Sequence, residues 1–306
     1  MRINVLGPIE VTAGERLIRP TGQRQRALLA ALALEQGRAV PVDRLVDVIW
    51  DVHPPATARA KVQTHVSVLR QAIGQDAALP DGPLLTVPPG YALRREGVEL
   101  DLAEFEQLTA QAEKAAGERQ PADASALYAD ALALWRGSAF ADVDSPLIRA
   151  AAAKLEERRL LAAEAKAESD LAVERCDHVV AELSPWLAMH PFRERMRAML
   201  MVALYRLGCR ADALALYREG HQLMVAELGL EPGPQLRALH QDMLADDPAL
   251  LAATNGPPAG PRAPAPDRPG SAGPSPAGPG PAVPAQRRHL QPVTATYVST
   301  LTTRAQ

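Results

Sequence analysis

Lys61, Gln63, Thr64, Ser67 and Arg70 fall one to three residues apart within 57–73, a stretch whose apolar residues keep a helical period. At ~100° per residue, Ala58, Val62, Val66, Leu69 and Ile73 share one side of a helix. The opposite side is Ala60, Thr64, Ser67 and Gln71, with Gln63 and Arg70 on one edge and Lys61 and Val68 on the other. Small residues permit close approach to a groove floor. Hydroxyl and amide groups suit base edges. The two cations stand where phosphates would lie, and outward Val68 suits a thymine methyl. The solvated face of an ordinary helix would carry similar residues, so the neighbouring elements must decide.

Those neighbours read helix, helix, hairpin. Residues 41–50 form a short amphipathic helix, broken at His53-Pro54-Pro55 before the helix at 57–73. Leu84 to Val87, Pro88-Pro89-Gly90 and Tyr91 to Leu93 make strand, turn and strand. This is the order of a winged helix-turn-helix, which sets one helix in a DNA groove and a wing beside it. Ahead of it, Ile3, Val5, Ile9 and Val11 flank a Gly7-Pro8 break, and Leu17-Ile18 follows an Ala13-Gly14-Glu15 turn, which predicts a small antiparallel sheet. A first helix spans about Gln23 to Gln36 and stops at Gly37. Trp50 and Tyr91 read as core residues.

From Asp101 strand signals vanish. Alanine-rich amphipathic helices are predicted near 101–116, 121–135, 145–174, 177–190, 193–207, 210–227 and 233–245. An internal repeat runs through them. Leu204 to Tyr217 has the pattern of a tetratricopeptide inter-helix turn; Leu171, Arg175, Cys176, Val180 and Leu183 occupy the roles of Leu204, Gly208, Cys209, Ala213 and Leu216 33 residues earlier, and Ala124, Tyr128 and Leu132 echo the pattern. Cys176 and Cys209 then sit at equivalent points of stacked repeats, roughly 10 Å or more apart, too far for a disulfide. Residues 254–285 are dominated by Pro, Gly and Ala, the composition of an extended linker, and 286–306 hold Arg287-Arg288 and a Thr-rich run.

At 306 residues the chain can build about two domains. Its net charge of −3 is uneven: residues 1–96 carry 12 Lys and Arg against 9 Asp and Glu, whereas the remainder carries 21 against 27. Binding to a polyanion must therefore rest on placed cations and on more than one subunit. The start of the chain does not read as a signal peptide, and no long uncharged apolar run predicts a spanning helix, so a cytoplasmic location is expected. Seven scattered histidines form no H-x-x-x-H or H-E-x-x-H set, and Cys-x-x-Cys, G-x-x-x-x-G-K-[ST] and G-x-S-x-G are absent. No metal, no cofactor and no enzymatic role are expected.

Several runs taken together resemble one family. Leu6-Gly7-Pro8-Ile9-Glu10-Val11, Gly22 to Ala30, Val42 to Trp50, Pro54 to Ala60 and Pro88-Pro89-Gly90-Tyr91 look like the Streptomyces antibiotic regulatory proteins. Val98 to Phe105, Ala133 to Gly137 and Glu227 to Pro234 resemble that family's tetratricopeptide-like bacterial transcriptional activation domain. The resemblance covers about residues 1–248. It implies a mainly α fold: a winged helix-turn-helix with small antiparallel sheets over 1–96 and an all-α tetratricopeptide-like domain over 97–248; composition, not the resemblance, predicts a disordered Pro/Gly/Ala-rich tail over 249–306.

The resemblance also implies a transcriptional activator of a secondary-metabolite gene cluster. Such a protein binds direct repeats in double-stranded DNA, as a homodimer there, and recruits RNA polymerase holoenzyme. Larger relatives continue past the activation domain, so the chain looks like the small class or a truncation. Carried onto this chain, the recognition helix is 57–73, with contacts from Lys61, Gln63, Thr64, Ser67 and Arg70. Arg94 and Arg95, just past the wing, are placed to meet phosphate or minor groove, and Arg24 and Arg26 are further phosphate candidates. Two alternatives remain at this point: a protein-interaction scaffold and a ligand-responsive regulator. A scaffold would expose a larger apolar patch on the helix than Thr64, Ser67 and Arg70 provide.

Overall fold

The computed structural model describes residues 1–20, 22–73 and 82–251. The chain divides into two units, Met1–Asn255 and Gly256–Gln306, and every described residue belongs to the first. The expected linker at 254–285 and the Thr-rich end lie outside the described residues.

The chain opens with strands β1 (Arg2–Asn4), β2 (Glu10–Ala13) and β3 (Arg16–Ile18), paired antiparallel. Ile3 pairs with Val11 and Val11 with Ile18, so alternation puts all three buried side chains on one face. Helix α1 (Gln23–Leu34) follows. Its residues Ala27 to Ala33 are all buried. Seven consecutive buried residues, nearly two turns, cover every side of the helix, which marks a helix sunk in the core along that length.

Strand β4 (Val40–Pro41) leads into α2 (Val42–Trp50), then α3 (Ala58–Ile73). The hairpin β5 (Leu84–Val87) and β6 (Gly90–Leu93) pairs Leu84 with Leu93 and Val87 with Gly90. The second sheet has the order β4-β6-β5. Gly90 is required there, because a Cβ at that position would lie 1.9 Å from the Val40 carbonyl oxygen.

Strand β7 (Glu99–Leu100) returns to the first sheet and pairs parallel to β1, giving the order β3-β2-β1-β7. The sequence predicts antiparallel pairing only; two residues are too short to carry a period. Helices α4 (Asp101–Gly117), α5 (Pro121–Ala133), α6 (Pro146–Ala172), α7 (Cys176–Met189), α8 (Glu194–Arg206), α9 (Arg210–Leu228) and α10 (Pro234–Leu244) then pack neighbour on neighbour. A 3-10 turn (Pro248–Leu251) closes the described chain. The repeat positions Ala124, Tyr128, Val180, Leu183, Ala213 and Tyr217 are all buried, as stacked helix pairs demand. Both cysteines are free.

One apolar core runs without a break from Ile3 through the winged helix to Ala162 in α6. Polar contacts reinforce the junction. The buried Asp101 carboxylate accepts from the Val5 N–H at 2.8 Å and the Leu6 N–H at 2.9 Å. Arg136 donates to Glu10 Oε2 at 2.8 Å and to the Pro8 carbonyl at 3.0 Å. Arg158 pairs with Glu106, whose other oxygen accepts from Gln36 at 2.7 Å. Farther along the chain, α7, α8 and their neighbours form a second core and α8 to α10 a third.

Candidate nucleic-acid interface

Helix α3 buries Ala58, Val62, Val66, Leu69 and Ile73, the set its period predicts. Ala60, Lys61, Gln63, Thr64, Ser67, Val68 and Gln71 are exposed. The burial of one stripe against α1 and α2 therefore fixes which residues α3 shows to the outside.

The hydroxyls on that face are already committed. Thr64 Oγ1 donates to the Ala60 carbonyl at 3.2 Å and Ser67 Oγ to the Gln63 carbonyl at 3.0 Å. Both bonds run to the residue four positions back, a common use of Ser and Thr within helices. With its proton spent, each hydroxyl can accept a hydrogen bond from a ligand but not donate one. Lys61 is exposed and has no ion pair among the described residues.

Arg70 occupies a different role from the one its position on the helical wheel suggests. Its guanidinium donates to the Leu84 carbonyl, at 2.8 Å from Nη2 and 3.1 Å from Nε, and to Thr86 Oγ1 at 3.0 Å. The side chain bridges the end of α3 to the first wing strand and fixes the angle between them. Arg94 likewise donates to the Gly82 carbonyl at 3.3 Å, across the base of the hairpin. Arg95 is exposed but donates to the Gln36 carbonyl at 3.0 Å, against the turn after α1.

Arg24 and Arg26 separate. Arg24 is exposed on α1, with its guanidinium 5.6 Å from the Trp50 ring centre. Arg26 is half-buried. It donates to the Asp142 carbonyl at 2.9 Å, the Pro20 carbonyl at 3.0 Å and Gln23 Oε1 at 2.7 Å, with Asp142 Oδ2 3.4 Å away. It braces the winged helix on the helical domain. Trp50 is half-buried and Tyr91 buried.

Three residues join the picture that the face pattern leaves out. Arg59, beyond the Gln63 edge of α3, is exposed and pairs with Asp43 on α2 at 2.6 Å. Thr86 stands exposed on the wing between half-buried Leu85 and Val87. His65 lies with its ring centre 5.9 Å from that of Trp50, and its buried Nε2 has no partner. Burial, then the nearby charges of Arg24 and Lys61, push the His65 pKa down, so the imidazole stays neutral between two cations. Strand alternation could have exposed Thr86 to sequence reasoning; the His65 environment depends on tertiary contacts.

Among the described residues no group of His, Cys, Asp and Glu could hold a metal ion, and no helix is long and apolar enough to cross a membrane.

Comparison with known proteins agrees with this geometry. Residues 19–93 match the family described as "Transcriptional regulatory protein, C terminal", and residues 100–244 match the bacterial transcriptional activator domain. Regulatory protein AfsR of Streptomyces griseus is 39% identical over 257 residues, covering 84% of this chain but only 26% of AfsR. The chain thus spans about a quarter of the AfsR length. Regulatory protein DnrI of Streptomyces peucetius is 35% identical over 263 residues, covering 84% of this chain and 96% of DnrI. The solved structure of Mycobacterium tuberculosis EmbR in complex with a low-affinity phosphopeptide superimposes with a TM-score of 0.76 at 34% identity, over 81% of this chain and 65% of that one. A winged helix joined to a bacterial transcriptional activator domain, and matched along nearly all of DnrI, places this chain in the Streptomyces antibiotic regulatory protein family.

Proposed function

We propose that the chain activates a secondary-metabolite gene cluster by binding direct repeats near a promoter and recruiting RNA polymerase holoenzyme through the helical domain. Two copies bind head-to-tail on the repeats, at the nucleoid in the cytoplasm. Lys61, Gln63, Thr64 and Ser67 contact the major groove, Arg24 and Arg95 meet flanking phosphates, and Arg70 and Arg94 hold the wing that lies beside them. The winged helix over 1–96 and the helical domain over 97–248 act as one body, with 249–306 as an appended tail. No cofactor enters this reading.

The observation that carries it is the α3 face: polar, exposed, flanked by Lys61 and braced by Arg70 to a wing. The modest excess of cations in residues 1–96 supports the use of two subunits. Footprinting the full chain on DNA upstream of neighbouring genes tests the proposal. Protected direct repeats should lie about 10 or 20 bp apart, one or two helical turns. Inserting about 5 bp between them puts the subunits on opposite faces and should abolish cooperative binding. Cooperative binding that survives the insertion would refute the paired arrangement.

A further inference from the structure

The outward face of α3 contains a row of methyl-bearing residues that its polar appearance conceals. Ala60, Thr64 and Val68 stand at i, i+4 and i+8, and all three are exposed. Thr64 keeps its hydroxyl proton on the Ala60 carbonyl, which leaves a lone pair and a methyl as what it can offer a ligand. Val68 is 41% exposed and belongs to none of the three apolar cores. Part of this branched apolar side chain is left in water. It gains stabilisation only when a partner covers it.

The partner that fits is the thymine C5-methyl. It is the apolar group that major-groove edges display, and it is met by alanine, threonine methyl and similar side chains. Four residues of helix rise about 6 Å, close to two base-pair steps of roughly 3.4 Å. A row at this pitch meets methyls on alternate base pairs. We propose that Ala60, Thr64 and Val68 select the operator by apolar contact with thymine methyls, Val68 contributing the largest surface. The inference rests on the DNA-binding reading above and adds what the helix selects for.

The test removes the methyl and nothing else. Sites are selected from a random duplex library with the full chain, and each thymine is then replaced by deoxyuridine, which keeps every hydrogen-bonding group. At one to three thymines the substitution should weaken binding about fourfold each, the affinity equivalent of ~0.8 kcal/mol for one buried methyl-sized group. Val68→Ala should cost a similar factor on the natural site and abolish the deoxyuridine effect at one position. The variant alters an exposed side chain, so an unchanged melting temperature is expected to accompany it. If specific binding is strong and deoxyuridine is neutral at every thymine, the methyl readout is overturned while DNA binding stands. If the losses from deoxyuridine and Val68→Ala simply add at all positions, Val68 is not the reader. If no DNA is retained at all, the DNA-binding reading fails and takes the inference with it.

Discussion

Ser145 Oγ lies 2.8 Å from the carbonyl oxygen of Val48, fully buried, and donates its proton there. Ser145 is the N-cap residue of α6, yet its side chain does not cap that helix. It satisfies a carbonyl in the last turn of α2, where backbone acceptors lack partners in their own helix. Ser145→Ala leaves that acceptor buried and unpaired, at a cost of about 1–3 kcal/mol. The thermal midpoint of the full chain should fall by several degrees. An unchanged midpoint would mean that the bond contributes nothing to the junction.

Lys61 and Arg26 should behave as opposites. Lys61→Ala removes an exposed cation and should weaken binding to all DNA, lowering the slope of log affinity against log salt by about 0.9, with stability unchanged. Arg26→Ala breaks the brace to Asp142 and Pro20 and should lower stability while leaving the salt slope alone. Titrations at several salt concentrations, beside thermal melts, separate the two. A reduced slope for Arg26→Ala would return that residue to the DNA face.

Arg70 offers a sharper distinction. A phosphate contact tolerates lysine, but a planar fork that bonds one carbonyl through two nitrogens does not. Arg70→Lys should therefore weaken DNA binding nearly as much as Arg70→Ala. Near wild-type affinity for Arg70→Lys, with Arg70→Ala strongly impaired, would show a charge contact in place of wing positioning.

His240 should make the last helix pair acid-sensitive. Its ring stacks on Tyr217 at 3.8 Å between centres and 4° between planes. Burial, then Arg218 and His221, hold its pKa below the ordinary value of 6.5. The unfolded chain then binds a proton more readily than the folded one. The stabilisation is complete above about pH 6.5 and is lost as pH falls through the depressed folded value. His240→Phe keeps the stack and removes the titration. Wild type should lose stability relative to this variant on acidification below pH 6.5, followed by thermal melts; parallel pH profiles would disprove the linkage.

The helices were legible because the sequence punctuates them. Gly37, Pro121, Pro146 and Pro234 stand at or near element ends, and the inward set of α3 follows from its period alone. The roles of Arg26 and Arg70 were not legible. Arg26 finds a partner 116 residues away and Arg70 finds its own on the first wing strand, 14 and 16 residues on, and no local pattern encodes either meeting. Strand β7 escaped for a related reason: it exists only because β1 offers an edge. The Thr64 and Ser67 bonds to their own helix could have been anticipated from residue type, and they change what the face can donate.

The three tryptophans of the chain each lie near a guanidinium: Trp50 near Arg24, and Trp135 and Trp186 on either side of Arg159, at 4.8 and 4.9 Å. A cation over an indole face perturbs the ring's excited state, so separation of the two changes the emitted light. The molecule therefore carries its own optical reporters. Emission from Trp50 follows its contacts with Arg24 on α1 and His65 on α3, and emission from Trp135 and Trp186 follows their shared contact with Arg159 on α6.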